Sequence, residues 1–106
     1  MSVISIKIRE SPRVYASKIP ITLNGIRVIL DIRHYADRWY LRTLDEAAVQ
    51  ICGPDKIVPG IDLWRAYRYD SRIPAGELFC YSIDREPPTL DSADKRSFLY
   101  YREATA

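Results

Sequence analysis

The sequence is short of the residues that make catalytic and metal sites. Among its 106 residues there is one histidine, His34, and there are two cysteines, Cys52 and Cys80. No CxxC or HxxxH spacing is present, so a structural zinc site lacks its ligands, and neither metal nor cofactor is expected. His34 has no serine or cysteine motif around it of the kind that builds a nucleophile, and it reads as a surface residue at a strand end. The four glycines form no GxGxxG turn and no phosphate-loop lysine motif. No apolar run approaches the roughly 20 residues that cross a bilayer, and residues 1–10 contain no uninterrupted apolar centre of an export signal. The expectation is a soluble, unexported chain without membrane contact, in which the two thiols stay free and partly buried rather than pairing across adjacent strands. An excess of one charge is missing too: 16 Lys+Arg against 14 Asp+Glu leaves +2, too little by itself to imply a polyanionic partner.

What is present is ordinary globular composition, 47% hydrophobic and 28% charged, over a length suited to one domain spanning residues 1–106. Ile4, Ile6 and Ile8 alternate with Ser5, Lys7 and Arg9, the pattern of a strand with one buried face. Residues 11–17, interrupted by Pro12, read as a short connection. Ile19, Ile21 and Leu23 resume the alternation, Asn24-Gly25 follows, and Ile26, Val28, Leu30 and Ile32 alternate again, which predicts a type I′ hairpin. Tyr35-Ala36-Asp37-Arg38 predicts a second turn before a strand from Trp39 to Leu44. Asp45-Glu46-Ala47 predicts a third, before a strand from Ala48 to Cys52 that Gly53-Pro54-Asp55 breaks ahead of Lys56-Ile57-Val58. Pro59-Gly60 closes that run, and Ile61, Leu63, Trp64 and Tyr67 fit one or two helical turns. Pro74-Ala75-Gly76 marks a turn. The segment from Glu77 to Ile83 reads as a strand apolar on both faces near its middle, hence central in its sheet. Asp84 to Asp94 forms a polar loop, and Ser97 to Tyr101 a last aromatic strand. The fold expected is mainly β: a small antiparallel barrel or sandwich of about six to eight short strands with at most one short helical segment.

The cations and aromatics carry the functional signal. Only Lys7, Lys18, Lys56 and Lys95 are lysines, so arginine supplies the rest of the 16 basic residues, and tyrosine contributes eight aromatics. Arginine and tyrosine are enriched where proteins touch, because a planar guanidinium sheds water readily and a phenol offers large area with few rotors. The densest segment is Trp64-Arg65-Ala66-Tyr67-Arg68-Tyr69, with a second cluster from Phe98 to Arg102. Trp64 and Tyr67 serve equally well as core residues, whereas Arg65, Arg68 and Tyr69 are hard to bury. The contact candidates are therefore Trp64, Arg65, Tyr67, Arg68, Tyr69, Tyr100, Tyr101 and Arg102. The same residues support an alternative, a small β-barrel that stacks single-stranded nucleic acid on Tyr67, Tyr69, Tyr100 and Tyr101, against which the weak net charge argues. A remoter one is acid/base chemistry by Asp84 with Glu86 or Asp91 with Asp94, for which a solvated loop is the simpler account.

The ordered series Leu23-Asn24-Gly25, Trp39-Tyr40-Leu41, Val58-Pro59-Gly60-Ile61-Asp62-Leu63, Tyr67-Arg68-Tyr69, Gly76-Glu77-Leu78-Phe79 and Phe98-Leu99-Tyr100-Tyr101 resembles the baseplate plug family of contractile-tailed bacteriophages, over about residues 15–103. The order and spacing of VPGIDL, YRY and GELF carry most of the likeness. The resemblance implies a β-rich structural protein of the virion, made in the host cytoplasm and free of catalysis, at the centre of the tail baseplate. Its implied partners are hub, tail-tube and spike proteins. A symmetric multimer of three or six copies is expected around the tail axis, and nucleic acid and membrane are not expected as partners. Asn24, Gly25, Pro59, Gly60 and Gly76 are the turn residues of this pattern, and the strand from Ile4 to Ile8 is the candidate edge for pairing with a neighbour.

Overall fold

Asn24 and Gly25 hold φ of 48° and 77°, the left-handed pair that a two-residue hairpin needs to match the twist of its strands. They join β2 (Ala16–Leu23) to β3 (Ile26–Tyr35) and set the register Leu23 opposite Ile26 and Ile19 opposite Leu30. Ala36 and Asp37 repeat the same geometry, φ 51° and 56°, between β3 and β4 (Arg38–Asp45). In the next turn Asp45 folds the chain back by accepting the N–H groups of Ala47 and Val49, each at 2.9 Å, and leads into β5 (Gln50–Lys56). The result is a four-stranded antiparallel sheet in the order β2-β3-β4-β5. A second antiparallel sheet pairs β1 (Val3–Ile6), β7 (Ser97–Arg102) and β6 (Glu77–Ser82), in the order β1-β7-β6. The computed structural model describes residues 3–9 and 15–104. The connection expected over residues 11–17 lies mostly outside them, and Ala16 and Ser17 already belong to β2.

Of the two closures expected, the protein takes the sandwich: the sheets are separate and do not close into a barrel. Their inner faces meet in one apolar cluster that includes Ile6, Leu78, Cys80, Leu99 and Tyr101 from one sheet and Val28, Leu30, Ile32, Trp39 and Leu41 from the other. Several polar groups inside it are matched, whereas Ser17 Oγ is buried without a hydrogen-bond partner among the described residues. Ser82 and Ser97 share a hydrogen bond at 2.8 Å, and Trp64 Nε1 donates to Thr43 Oγ1 at 2.9 Å. Cys52 and Cys80 are free and buried, and burial pushes both thiols up, which makes them poor nucleophiles.

Two sequence expectations need correction. Gly53-Pro54-Asp55 does not break a strand. Those residues lie within β5, whose register against β4 slips between Leu41 and Leu44. An edge strand tolerates this because proline lacks only an outward N–H; β2, the opposite edge, likewise contains Pro20. The Glu77–Ser82 strand is not central but an edge of its sheet, with β7 in the middle. Its second apolar face carries Phe79, half-buried, and Tyr81, which is 55% exposed. The bridges of Pro59 to Cys80 and Asp62 to Phe79 cover part of its free edge. The short helical segment expected at Ile61–Tyr67 is present as a single 3-10 turn, Arg65–Tyr67. Leu63 and Trp64 are buried as a stripe would have them, but successive i to i+3 bonds (Arg65 to Asp62, Tyr67 to Trp64, Asp70 to Tyr67) make a chain of tight turns.

Gly76 does more than turn. A Cβ there would lie 2.2 Å from the Arg102 carbonyl oxygen and 2.5 Å from the Tyr101 ring, so the backbone passes where only glycine fits. Gly76→Ala is expected to destabilise the fold by about 2 kcal/mol or more, the scale of overpacking a rigid interior. Gly60→Ala, at positive φ but with open space around it, should cost about 1 kcal/mol. Urea unfolding of the two variants measures the difference.

Candidate contact surface

Four of the eight contact candidates are held by the fold itself. Trp64 and Tyr101 are 1% and 0% exposed and stack edge to face, with ring centroids 6.0 Å apart. The Tyr101 hydroxyl accepts the Gly76 N–H at 2.7 Å and donates to Asn24 Oδ1, which also accepts the Ala104 N–H at 3.0 Å. Tyr67 donates its phenol to Asp55 Oδ2 at 2.8 Å. Arg68 is a strut. Its guanidinium donates to Asp62 Oδ2 and to the carbonyls of Pro74 and Gly76, while Asp62 Oδ1 accepts the N–H groups of Trp64 at 3.1 Å and Leu78 at 3.2 Å. This cluster fastens the 62–68 turn, the 74–76 loop and the start of β6 to one another.

The other four face outward. Arg65 is exposed, and Tyr69, at 85%, is the most exposed large apolar side chain described. Tyr100 and Arg102 project from the outer face of β7, where Tyr100 packs beside Phe79 (centroids 5.7 Å) and Phe98 (6.4 Å). Arg102 pairs with Glu77 at 2.8 Å and lies 5.6 Å from the centre of the Phe79 ring. The ladder sets Phe79 opposite Tyr100 and Tyr81 opposite Phe98, so four aromatic rings share this outer face. Val3 and Ile83, 55% and 62% exposed, lie at its margins. Phe79 and Tyr81 were absent from the sequence-derived contacts, and Phe98 entered only as the start of the Phe98–Arg102 cluster. The signal for Phe79 and Tyr81 was the second apolar face of β6, which the sequence pattern equated with burial inside a sheet. A recess of about 600 Å³, lined by Gly60, Phe79, Tyr81, Ile83 and Arg85 among others, adjoins the face.

The residues weighed for chemistry take structural parts. His34 sits between the rings of Tyr15 and Trp39, its Nε2 3.7 Å from Asp37 Oδ1. Asp94 accepts the N–H groups of Ile8 at 3.0 Å and Arg9 at 3.1 Å, which ties the loop to the chain beyond β1. Asp84 accepts from its neighbour Glu86 at 3.0 Å, and Asp91 lies near Arg96 (3.4 Å) and Lys95 (3.9 Å). No group of three or more His, Cys, Asp or Glu is placed to hold a metal among the described residues, and no helix among them is long and apolar enough to cross a membrane.

Residues 1–104 match the family described as cyanophage baseplate Pam3 plug gp18. The chain belongs to this family. It is accordingly a structural protein of a phage tail baseplate. No curated protein matches the sequence.

Two predictions follow from how this plug's residues are held. Arg68→Ala strands two carbonyls and a carboxylate and is expected to lower stability by about 2 kcal/mol. Tyr69→Ala should stay within about 0.5 kcal/mol, and denaturant unfolding separates them. The Tyr67 phenol is pushed up to about 12, first by its hydrogen bond to Asp55 and then by burial. Its folded value lies above the ordinary tyrosine value near ~10, so its contribution is whole below that pH and is lost as pH rises through about 12. Tyr67→Phe should therefore reduce the fall in stability over this alkaline window. The remaining slope includes Tyr101, whose phenol burial also raises.

Proposed function

We propose that the chain closes the central hub and tube region of a contractile tail baseplate above the spike, acting by contact alone and without catalysis. The observation that carries this reading is the exposed aromatic face of β6 and β7, in a member of a baseplate plug family. Aromatic rings on a rigid sheet lose little conformational entropy when a partner covers them, and an uncovered face of this kind is costly in water. Phe79, Tyr81, Phe98 and Tyr100, with Arg102, form one contact zone; Arg65 and Tyr69 form a second. The edge of β1 away from β7, unpaired among the described residues, offers a third by strand pairing. Three or six copies around the tail axis would satisfy closed symmetry, with hub, tail-tube and spike proteins as neighbours. The single-strand-binding alternative is less well supported, because on the aromatic face Arg102 is already paired with Glu77, and the row of cations on the four-stranded sheet lies on the other side of the sandwich from these rings.

The test is particle incorporation. Tyr81→Ala and Tyr69→Ala are expected to leave unfolding within about 0.5 kcal/mol while reducing the amount found in purified particles by about tenfold, equivalent to 1.4 kcal/mol of lost contact. Unchanged incorporation of both variants would show that these residues do not form the interface.

A further inference from the structure

The two outer faces of the sandwich differ in chemistry, and the difference is invisible in the net charge. Residues directly opposite each other in a ladder share a face. On the four-stranded sheet this places Lys18, Asp31 and Arg42 in one row and Arg33, Tyr40 and Lys56 in the next, with Arg38 and Arg27 toward the ends. The outward positions of these strands thus carry Lys18, Arg27, Arg33, Arg38, Arg42 and Lys56 against the single carboxylate of Asp31, in a chain whose overall charge is only +2. Asp31 is already committed. It is 1% exposed and roofed by Arg33 Nε at 3.0 Å and by Arg42, whose Nε and terminal nitrogen lie at 3.1 and 2.5 Å. The two guanidiniums pull its carboxyl below the ordinary aspartate range although burial opposes them. Arg33 gives Asp31 only its Nε, and its side chain is 59% exposed, so its terminal nitrogens remain for a further acceptor. Lys18, Arg27 and Lys56 form no ion pair among the described residues. A shallow recess of about 280 Å³ opens at the centre, lined by Asp31, Arg33, Tyr40, Arg42, Gln50 and Pro54.

We infer that this face docks against an acidic surface of a different baseplate protein, a partner distinct in chemistry from whatever covers the aromatic face. The inference rests on the baseplate reading for the class of partner. A second copy of the chain is poorly matched, because most of its described carboxylates are engaged or lie among cations, and exposed Glu46, which forms no ion pair among the described residues, shares a recess with Arg27 and Arg72. Asp45 and Asp70 pair with Arg72, Asp62 pairs with Arg68, and the 84–94 loop is interleaved with Arg85 and followed by Lys95 and Arg96. Carboxylates suit the site well: a guanidinium already oriented by Asp31 presents its remaining donors in a fixed fork, and the surrounding cations steer an acidic patch toward it.

The four lysines make the test internal to the molecule. Lys18 and Lys56 lie on the basic face, whereas Lys7 follows β1 and Lys95 sits 3.9 Å from Asp91. Zero-length carbodiimide coupling on purified particles joins a lysine amine to a carboxylate touching it, and mass spectrometry of the peptides locates the links. The expected result is Lys18 and Lys56 joined to Asp or Glu of another baseplate protein, with the Lys95–Asp91 link as the control that coupling worked. The inference is overturned if both lysines stay unlinked while that control forms, if they link to this chain's own carboxylates in another copy, or if formaldehyde joins them to nucleic acid and carbodiimide to nothing. Absence of the chain from the particles would instead sink the baseplate reading itself, and this partner with it.

Discussion

The hydroxyl of Tyr101 is the point on which the two layers converge. It is buried on the central strand of the smaller sheet, accepts the N–H of Gly76, and donates to Asn24 in the hairpin turn of the larger sheet. A phenol can do both only while neutral, and burial, by raising its pKa, keeps it so. The close approach of Gly76 to the ring follows from the same contact. Sheet pairing alone would leave the sandwich held by apolar contact, which has no direction. This hydrogen-bonded junction adds a fixed alignment of β7 against the β2–β3 turn.

Arginine plays two unlike parts here. Arg68 satisfies carbonyls that turns leave open and binds three segments together, and Arg72 bridges Asp45 and Asp70 across 25 or more residues of chain on one side. These side chains serve the fold in place of a helix or a disulfide. Arg27 and Arg65 serve no comparable internal purpose and belong to the surface, while Arg33 does both, giving its Nε to buried Asp31 and leaving its terminal nitrogens outward. Composition cannot sort one group from the other, because the same guanidinium fork suits a backbone carbonyl, an internal carboxylate or a neighbour.

The sandwich has an aromatic outer face and a basic one back to back. Short two-residue turns fix strand register, so the side chains on each face keep their spacing. Edge strands β2 and β5 each contain a proline, which disfavours indiscriminate strand addition there.

Local chemistry made much of this legible in the sequence. Alternating Ile, Val and Leu specify strands with one buried face, Asn24-Gly25 specifies a tight hairpin, and the mainly β class follows from both. The order of VPGIDL, YRY and GELF pointed to the family. Tertiary structure decided what depends on residues far apart in the chain. Whether β6 is an edge or a centre depends on where β7 and β1 pair, and so whether Phe79 and Tyr81 are core or surface could not be read from their strand. Trp64 and Tyr101 went inside because each finds a polar partner there, in Thr43 and in Gly76 with Asn24. Arg68 was committed by Asp62, Pro74 and Gly76, and the cations of β2 to β5 became one face only when antiparallel register set them side by side. A sequence specifies each residue's preference; which preference is satisfied, and by which partner, is fixed when distant segments compete for the same space and the same hydrogen bonds.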